Sequence, residues 1–150
     1  MKTRTYVSIL ILVLAVLIVV GSCATRKIAI SDEDLSNAYT GTWINPEATS
    51  EAVKVVYFPD GSWNRYLSID TDHAFCEVKD TIINKWKDSN GNIFFESKVE
   101  DVTHGQSGYN LVKISDSVNT LEMLLTLRDL RVEEWEPDKF EYTYYIYYRQ

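Results

Sequence analysis

Apolar and polar residues alternate with a period of two over most of the chain after Tyr39. Such alternation places successive side chains on opposite faces of an extended strand. The odd-numbered positions of one segment share a face: Trp63, Arg65, Leu67 and Ile69. Strands are predicted over residues 40–45, 53–58, 62–69, 75–78, 81–87, 92–99, 109–114, 120–127 and 140–149. The pattern therefore predicts an all-β domain.

Turn-forming residues separate these strands at short intervals. Pro59-Asp60-Gly61 combines a proline, which fixes φ, with a glycine that accepts the left-handed conformation. Asn90-Gly91 lies between two strand-like segments, which is a strong indication of a β-hairpin. The polar stretch from Ser115 to Asn119 predicts a further hairpin. We therefore expect consecutive strands to pair directly and antiparallel.

A short helix is predicted ahead of the strands. Ser31 can cap its first turn, and the acidic residues Asp32, Glu33 and Asp34 follow where the helix dipole favours negative charge. We expect one or two turns that end near Ala38 and flank one end of the sheet.

Eight or nine short strands leave no room for helices that cross between parallel strands. Such a meander forms either an antiparallel sandwich or an up-and-down barrel. We favour an antiparallel up-and-down meander that closes into a barrel of about eight strands. Closure removes exposed strand edges, and the tyrosine-rich final strand would otherwise be open to aggregation.

The first residues have the composition of a secretory signal peptide. A basic start with Lys2 and Arg4 precedes an aliphatic run from Val7 to Val20, which is 14 residues long. That run is shorter than the roughly 20 residues that cross a bilayer, although Gly21 to Ala24 could extend it to the lower limit. An uncleaved anchor is therefore the alternative to a signal peptide.

Val20-Gly21-Ser22-Cys23 resembles the cleavage motif of bacterial lipoproteins. The resemblance implies a signal helix over residues 1–22, cleavage before Cys23, and attachment of lipid to the Cys23 amine and sulfur. Several acyl chains on one cysteine hold a domain on a membrane without a spanning helix, because each buried CH₂ contributes about 0.8 kcal/mol. Ala24, which is not aspartate, implies the outer membrane of the cell envelope.

Three regions follow from these patterns. Residues 1–22 are the predicted signal peptide, residues 23–38 a lipidated tether with the short helix, and residues 39–150 the barrel domain. Removing the leader takes two of the 15 basic residues and leaves 13 against 22 acidic residues, a formal charge of −9. Nucleic-acid binders concentrate basic residues on one face, so we expect no nucleic-acid partner.

The region from Tyr39 to Gln150 resembles the lipocalin-like domains of bacterial lipoproteins. Gly41-Thr42-Trp43 is similar to the Gly-X-Trp of the first lipocalin strand, and further stretches are similar to the same group: Pro59 to Trp63, Lys85 to Asn92, Lys113 to Asp116, Asn119 to Leu121, and Tyr147 to Gln150. The resemblance implies an eight-stranded barrel with a cup-like interior. It also implies that a basic residue near the last strand, here Arg149, stacks over Trp43 and closes the barrel.

Residue patterns for catalysis or metal binding are weak. His73 and Cys76 have a spacing that could serve a metal, with His104 elsewhere, but a structural zinc site normally needs four ligands. Asp70 and Asp72 are adjacent loop acids, whereas calcium requires six to eight oxygens. No nucleophile motif or phosphate loop is present. We therefore expect no metal, no cofactor and no enzymatic activity.

Aromatic residues on the predicted strands could line a ligand cavity: Tyr57, Trp63, Trp86, Tyr142, Tyr144 and Tyr148. Strands also favour aromatic residues for packing alone. The interior of an eight-stranded barrel can be filled by side chains or can hold one small ligand. We expect a membrane-anchored protein that binds a small hydrophobic or amphipathic ligand. The alternative is a filled barrel that acts as an envelope interaction or inhibitor module.

Overall fold

The computed structural model describes residues 27–48, 52–115, 117, 119–126, 135, 137 and 143–150. One short helix precedes eight antiparallel strands, and these strands close into a barrel in sequence order. The predicted signal peptide, Cys23 and Tyr142 lie outside the described residues. The prediction of a closed, antiparallel, eight-stranded meander is confirmed.

The helix α1 spans Asp32–Tyr39. The strands are β1 (Gly41–Ile44), β2 (Lys54–Tyr57), β3 (Ser62–Tyr66), β4 (Cys76–Lys87), β5 (Ile93–Asp101), β6 (Gln106–Ser115), β7 (Thr120–Thr126) and β8 (Thr143–Arg149). Each strand pairs with the next, and β8 pairs with β1.

Helix α1 covers one end of the barrel. Ser31 caps it, because its hydroxyl accepts a hydrogen bond from the Asp34 amide at 3.0 Å. Leu35 and Tyr39 are buried against the strands, and the Tyr39 hydroxyl donates to the Pro59 carbonyl at 3.2 Å. We call this side, which also holds the turns at residues 58–61 and 88–92, the helix end. The opposite side, with loops 67–75 and 102–105, is the loop end.

The hairpin between β4 and β5 forms where Asn90-Gly91 predicts it, but its loop is longer than two residues. The Asp88 carboxylate accepts hydrogen bonds from the amides of Asn90 and Asn92 at 2.8 and 2.9 Å. Gly91 has φ of 87°, in the region that glycine enters without steric cost. A side-chain acceptor therefore organises this turn together with the glycine.

Several predicted strand boundaries are wrong; β6, for example, begins at Gln106 and not at residue 109. Residues 75–78 and 81–87 were predicted as separate strands, whereas β4 runs unbroken over Cys76–Lys87 with a register shift between Ile82 and Asn84. The strand predicted over 62–69 ends at Tyr66, so Leu67 and Ile69 lie in a loop. A bulge keeps a strand paired while it changes which residues face inward, and simple alternation does not reveal it.

Side chains fill the barrel interior along the described strands. Alternate residues along each strand face the inside, and these residues pack as a single apolar cluster. The largest with less than 2% exposure are Trp43, Val55, Tyr57, Trp63, Phe95, Val112, Ile114, Leu121, Met123 and Tyr147. The described strands therefore share one packed core.

A second apolar cluster lies on the outer face of the sheet. Leu111 and Leu124 pair across β6 and β7 and are buried, and the partly buried Trp86, Tyr109 and Trp135 pack against them. Trp135 belongs to the connection between β7 and β8. That connection therefore packs on the outside of the barrel at this point.

Candidate functional site

The first candidate feature is the closure at the helix end. Trp43 and Arg149 are partners in the register of β1 and β8, and the guanidinium carbon lies 4.6 Å from the indole centroid. The Trp43 Nε1 donates to the Tyr39 carbonyl at 2.8 Å, and Arg149 donates to the Ala38 carbonyl. Trp43 is only 1% exposed. The pair therefore ties the last turn of α1 to the first and last strands.

Of the aromatic residues predicted to line a cavity, Tyr57 and Trp63 lie inside the barrel. Their rings stack with centroids 5.4 Å apart, and Tyr57 also meets Phe95 edge-on at 6.5 Å. The Trp63 Nε1 donates to Asp80 Oδ1 at 3.0 Å. Both rings are enclosed by neighbouring side chains, so they form part of the core.

Trp86, Tyr144 and Tyr148 lie on the outer face instead. Trp86 stacks on Phe94 with centroids 5.3 Å apart, and Lys27 Nζ lies 4.0 Å from the Trp86 ring. The Tyr144 hydroxyl donates to Glu122 Oε2 at 2.8 Å. The bulge in β4 determines the position of Trp86, which is why sequence alternation could not assign its face.

Buried polar groups lie inside the barrel, a feature that we did not anticipate from the sequence. Among the described residues, the Tyr57 hydroxyl, Asp80 Oδ2, Ser97 Oγ and the Asn110 amide atoms are buried without a well-formed hydrogen bond, although Ser97 lies next to Asp80 and Asn110 next to Tyr57. Burial raises the pKa of Asp80 to about 7, although the Trp63 and Ser97 side chains oppose that rise. Burial likewise raises the pKa of Tyr57.

Little empty volume lies next to these buried polar groups at the loop end. A void of about 10 Å³ lies next to Trp63, Arg65 and Asp101 at the loop end. That volume holds at most about one water molecule. A larger cleft of about 390 Å³ lies at the helix end, between residues 29–38 and the barrel residues Lys87, Ile93 and Arg149.

Three side chains of types that bind metal ions lie close together at the loop end. The His104 Nδ1 is 2.9 Å from Asp101 Oδ2, and ligand atoms of Cys76, Asp101 and His104 all lie within 4.8 Å of one another. Burial raises the pKa of the Cys76 thiol to about 11. Burial also opposes ionisation of Asp101, but hydrogen bonds from the His104 side chain and amide outweigh it and lower the Asp101 pKa.

The other residues that the sequence suggested for metal binding lie outside this group. His73 is exposed on loop 67–75 and does not belong to the Cys76 group, and Asp70 is exposed on the same loop. The partner of Cys76 is Asp101, which lies at the end of β5 and shares no motif with it in the sequence. Only the register of β4 with β5 brings these residues together.

Loops at the loop end expose large apolar side chains. The exposed fractions are 47% for Leu67, 43% for Ile69, 39% for Phe75 and 47% for Val102. The Phe75 amide donates to the Arg65 carbonyl at 2.7 Å, and the Val102 amide donates to the Glu77 carbonyl at 2.9 Å. Ordered loops therefore hold these side chains at one end of the barrel. We call the four residues the apolar rim.

Fold and site together define a closed eight-stranded antiparallel barrel with a packed interior and a helix across one end. No family model, curated protein or solved structure matches the chain. Within the described residues, no helix is both long enough and apolar enough to cross a bilayer.

Proposed function

We propose that this protein is a lipid-anchored, lipocalin-like barrel of the cell envelope that binds a partner protein at its loop end. The packed interior is the observation that carries this proposal. Trp43, Trp63 and Phe95 are buried in the barrel core, and the void next to Trp63 is about 10 Å³. The exposed apolar rim then offers the better binding surface.

The direction of the tether supports the loop end as the binding surface. Ile28 forms an isolated antiparallel bridge with Lys87, through two hydrogen bonds of 2.8 Å, at the helix end. A chain lipidated at Cys23 would therefore enter the domain at that end. The apolar rim would face away from the membrane, where another envelope protein can reach it.

The chemistry around the rim indicates the kind of partner. Asp70, Asp72 and Glu77 are exposed at the same end as the rim. A partner with apolar side chains flanked by basic residues would bury the rim and complement these acids. The acidic balance of the whole chain would also steer such a partner toward it.

The anchor is tested by replacing the lipidated cysteine. Cys23→Ser should move the protein from the membrane fraction to the soluble envelope fraction and remove the lipid mass from the mature chain. Thr25→Ser, two residues further along the tether, is the control, and it should remain membrane-bound. Membrane retention of the Cys23→Ser protein, with an uncleaved N-terminus, would show a spanning anchor instead.

The interaction surface is tested by photo-crosslinking in intact cells. A photoreactive residue at Ile69 should give one discrete crosslinked protein, whereas the same residue at Ile83 should not. Ile83 is the matched control because it is equally exposed, at 44%, but lies on the wall of the barrel. Identical crosslinking at both positions, or none at Ile69, would contradict the proposal.

Binding of a small amphipathic ligand inside the barrel is the second candidate function. The buried polar atoms of Tyr57, Ser97 and Asn110, which lack well-formed hydrogen bonds within the described part of the chain, favour it, since a polar ligand group could bond to them. Such a ligand would have to displace packed side chains. A molecule that co-purifies in stoichiometric amount would support this function over the first.

A further inference from the structure

The sequence pattern gave only weak support for a metal site, through His73, Cys76 and His104, but the fold assembles three metal-ligand side chains at the loop end. Cys76 begins β4, Asp101 ends β5, and His104 lies in the turn that leads to β6. Val78 pairs with Asp101 in the register of β4 and β5, which brings the start of one strand beside the end of the other.

Asp101 holds this turn in place. Its Oδ1 accepts hydrogen bonds from the amides of Thr103 and His104, each at 3.0 Å. Its Oδ2 lies 2.9 Å from His104 Nδ1. Gly105 follows with φ of 68°, which allows the chain to reverse. The turn and this side-chain contact therefore hold the imidazole against the Asp101 carboxylate.

We propose that Cys76, Asp101 and His104 bind one zinc-type transition-metal ion. Their ligand atoms lie within 4.8 Å of one another. Ligands of one tetrahedral zinc ion lie about 3.3–3.8 Å apart, given metal–ligand distances of about 2.0–2.3 Å. Shifts of about 1 Å or less in the side chains would therefore bring all three atoms onto one ion.

The donor set selects the class of metal. Thiolate and imidazole favour zinc and neighbouring transition metals, whereas calcium and magnesium require oxygen ligands. Three protein ligands leave a fourth position for water, and His104, whose side chain is 40% exposed, opens that position to solvent. On binding, the Cys76 sulfur forms the metal bond and its proton leaves to solvent.

Two neighbours affect the site. Arg65 lies against the Cys76 thiol, and its positive charge disfavours a cation, but its N–H groups can hydrogen-bond the sulfur of a metal thiolate. Phe75 packs on the His104 ring with centroids 5.1 Å apart. A bound ion would therefore fix the loop end beside the apolar rim. The site does not depend on the proposed partner-binding function.

Titration of the chelator-treated protein with Zn²⁺ and Co²⁺ tests the proposal. We expect one saturable site, with a Co²⁺–thiolate charge-transfer absorption band that Zn²⁺ abolishes. Cys76→Ser should remove the band, and His104→Ala should weaken binding by about 100-fold or more while the fold is retained. His104 lies in an exposed turn, so its replacement keeps the test valid even if Cys76→Ser does not fold.

His73→Ala is the matched control, because His73 is the neighbouring exposed histidine outside the group. It should bind Zn²⁺ as the unmodified protein does. The proposal is overturned if no saturable binding occurs, if His104→Ala binds normally, or if His73→Ala loses binding to the same extent. A melting temperature unchanged by EDTA and by Zn²⁺ would also count against it.

Discussion

At the scale of single residues, Asp80 is a carboxyl group buried inside the apolar barrel core, where ionisation is unfavourable. One of its carboxylate oxygens accepts the Trp63 indole hydrogen, and the other is buried next to Ser97 without a well-formed hydrogen bond among the described residues. Ser97 and Asn110, both fully buried, also hold polar atoms that form no well-formed hydrogen bond with a described residue. A protonated Asp80 could donate a hydrogen bond, whereas an ionised one leaves an uncompensated charge in the core. The protonation state of Asp80 should therefore influence stability.

We predict that Asp80→Asn removes a pH dependence of stability. The pKa of about 7 in the folded protein lies above the ordinary value of 3.8, so the folded state holds this proton more tightly. The free energy of unfolding should therefore fall as the pH rises from about 4 to 7, and level off above that. Asp80→Asn should raise stability at pH 8 by about 1–3 kcal/mol and change it little at pH 4.

Urea unfolding at both pH values measures this effect. Asp70→Asn is the control, because Asp70 is exposed in a loop and should leave the pH profile unchanged. Equal effects of Asp80→Asn at pH 4 and pH 8 would show that the carboxylate is not the source of the dependence.

At the scale of secondary structure elements, closure depends on the contact between β1 and β8. These two strands share only a short register, with Trp43 opposite Arg149 and Ile44 opposite Tyr148. The guanidinium over the indole, with hydrogen bonds from both side chains to the end of α1, reinforces that junction. A guanidinium–indole contact contributes about 0.5–2 kcal/mol, and more when water is excluded.

A double-mutant cycle on Trp43 and Arg149 should measure this reinforcement. Trp43→Phe combined with Arg149→Met should show a coupling energy of about 0.5–2 kcal/mol in the free energy of unfolding. Lys27 and Trp86 are the control pair, since Lys27 is exposed and its Nζ lies 4.0 Å from the Trp86 ring on the outer face. Their coupling should be below about 0.5 kcal/mol because water screens it. If the effects of the two substitutions on the free energy of unfolding are additive, the Trp43–Arg149 contact does not stabilise the closure of the barrel.

The sequence predicts some elements better than others, for physical reasons. Ser31 before three acidic residues, and Asn90-Gly91 between strands, carry local conformational preferences, so α1 and the β4–β5 hairpin were predicted correctly. The bulge after Ile82 has no local preference of this kind. It reverses which residues face inward, so no pattern in the sequence could place Trp86 on the outer face.

At the scale of the whole molecule, the two ends of the barrel differ. The helix end carries α1, the Trp43–Arg149 closure and the bridge at Ile28, whereas the loop end carries the apolar rim and the Cys76 group. A single closed meander was predictable from turn spacing and strand alternation. The packed interior was not, because sequence alternation shows which face is apolar but not whether the side chains fill the enclosed volume.

The packed interior is the central claim, and native mass spectrometry tests it most directly. The chain from Ala24 to Gln150 is exported to the envelope without its lipid, purified, and weighed under native and denaturing conditions, with solvent extraction of the same sample. The two masses should agree with the bare polypeptide apart from bound metal, and the extract should contain no stoichiometric organic molecule. A native mass excess of several hundred daltons, matched by one extracted amphipathic compound per chain, would contradict the account.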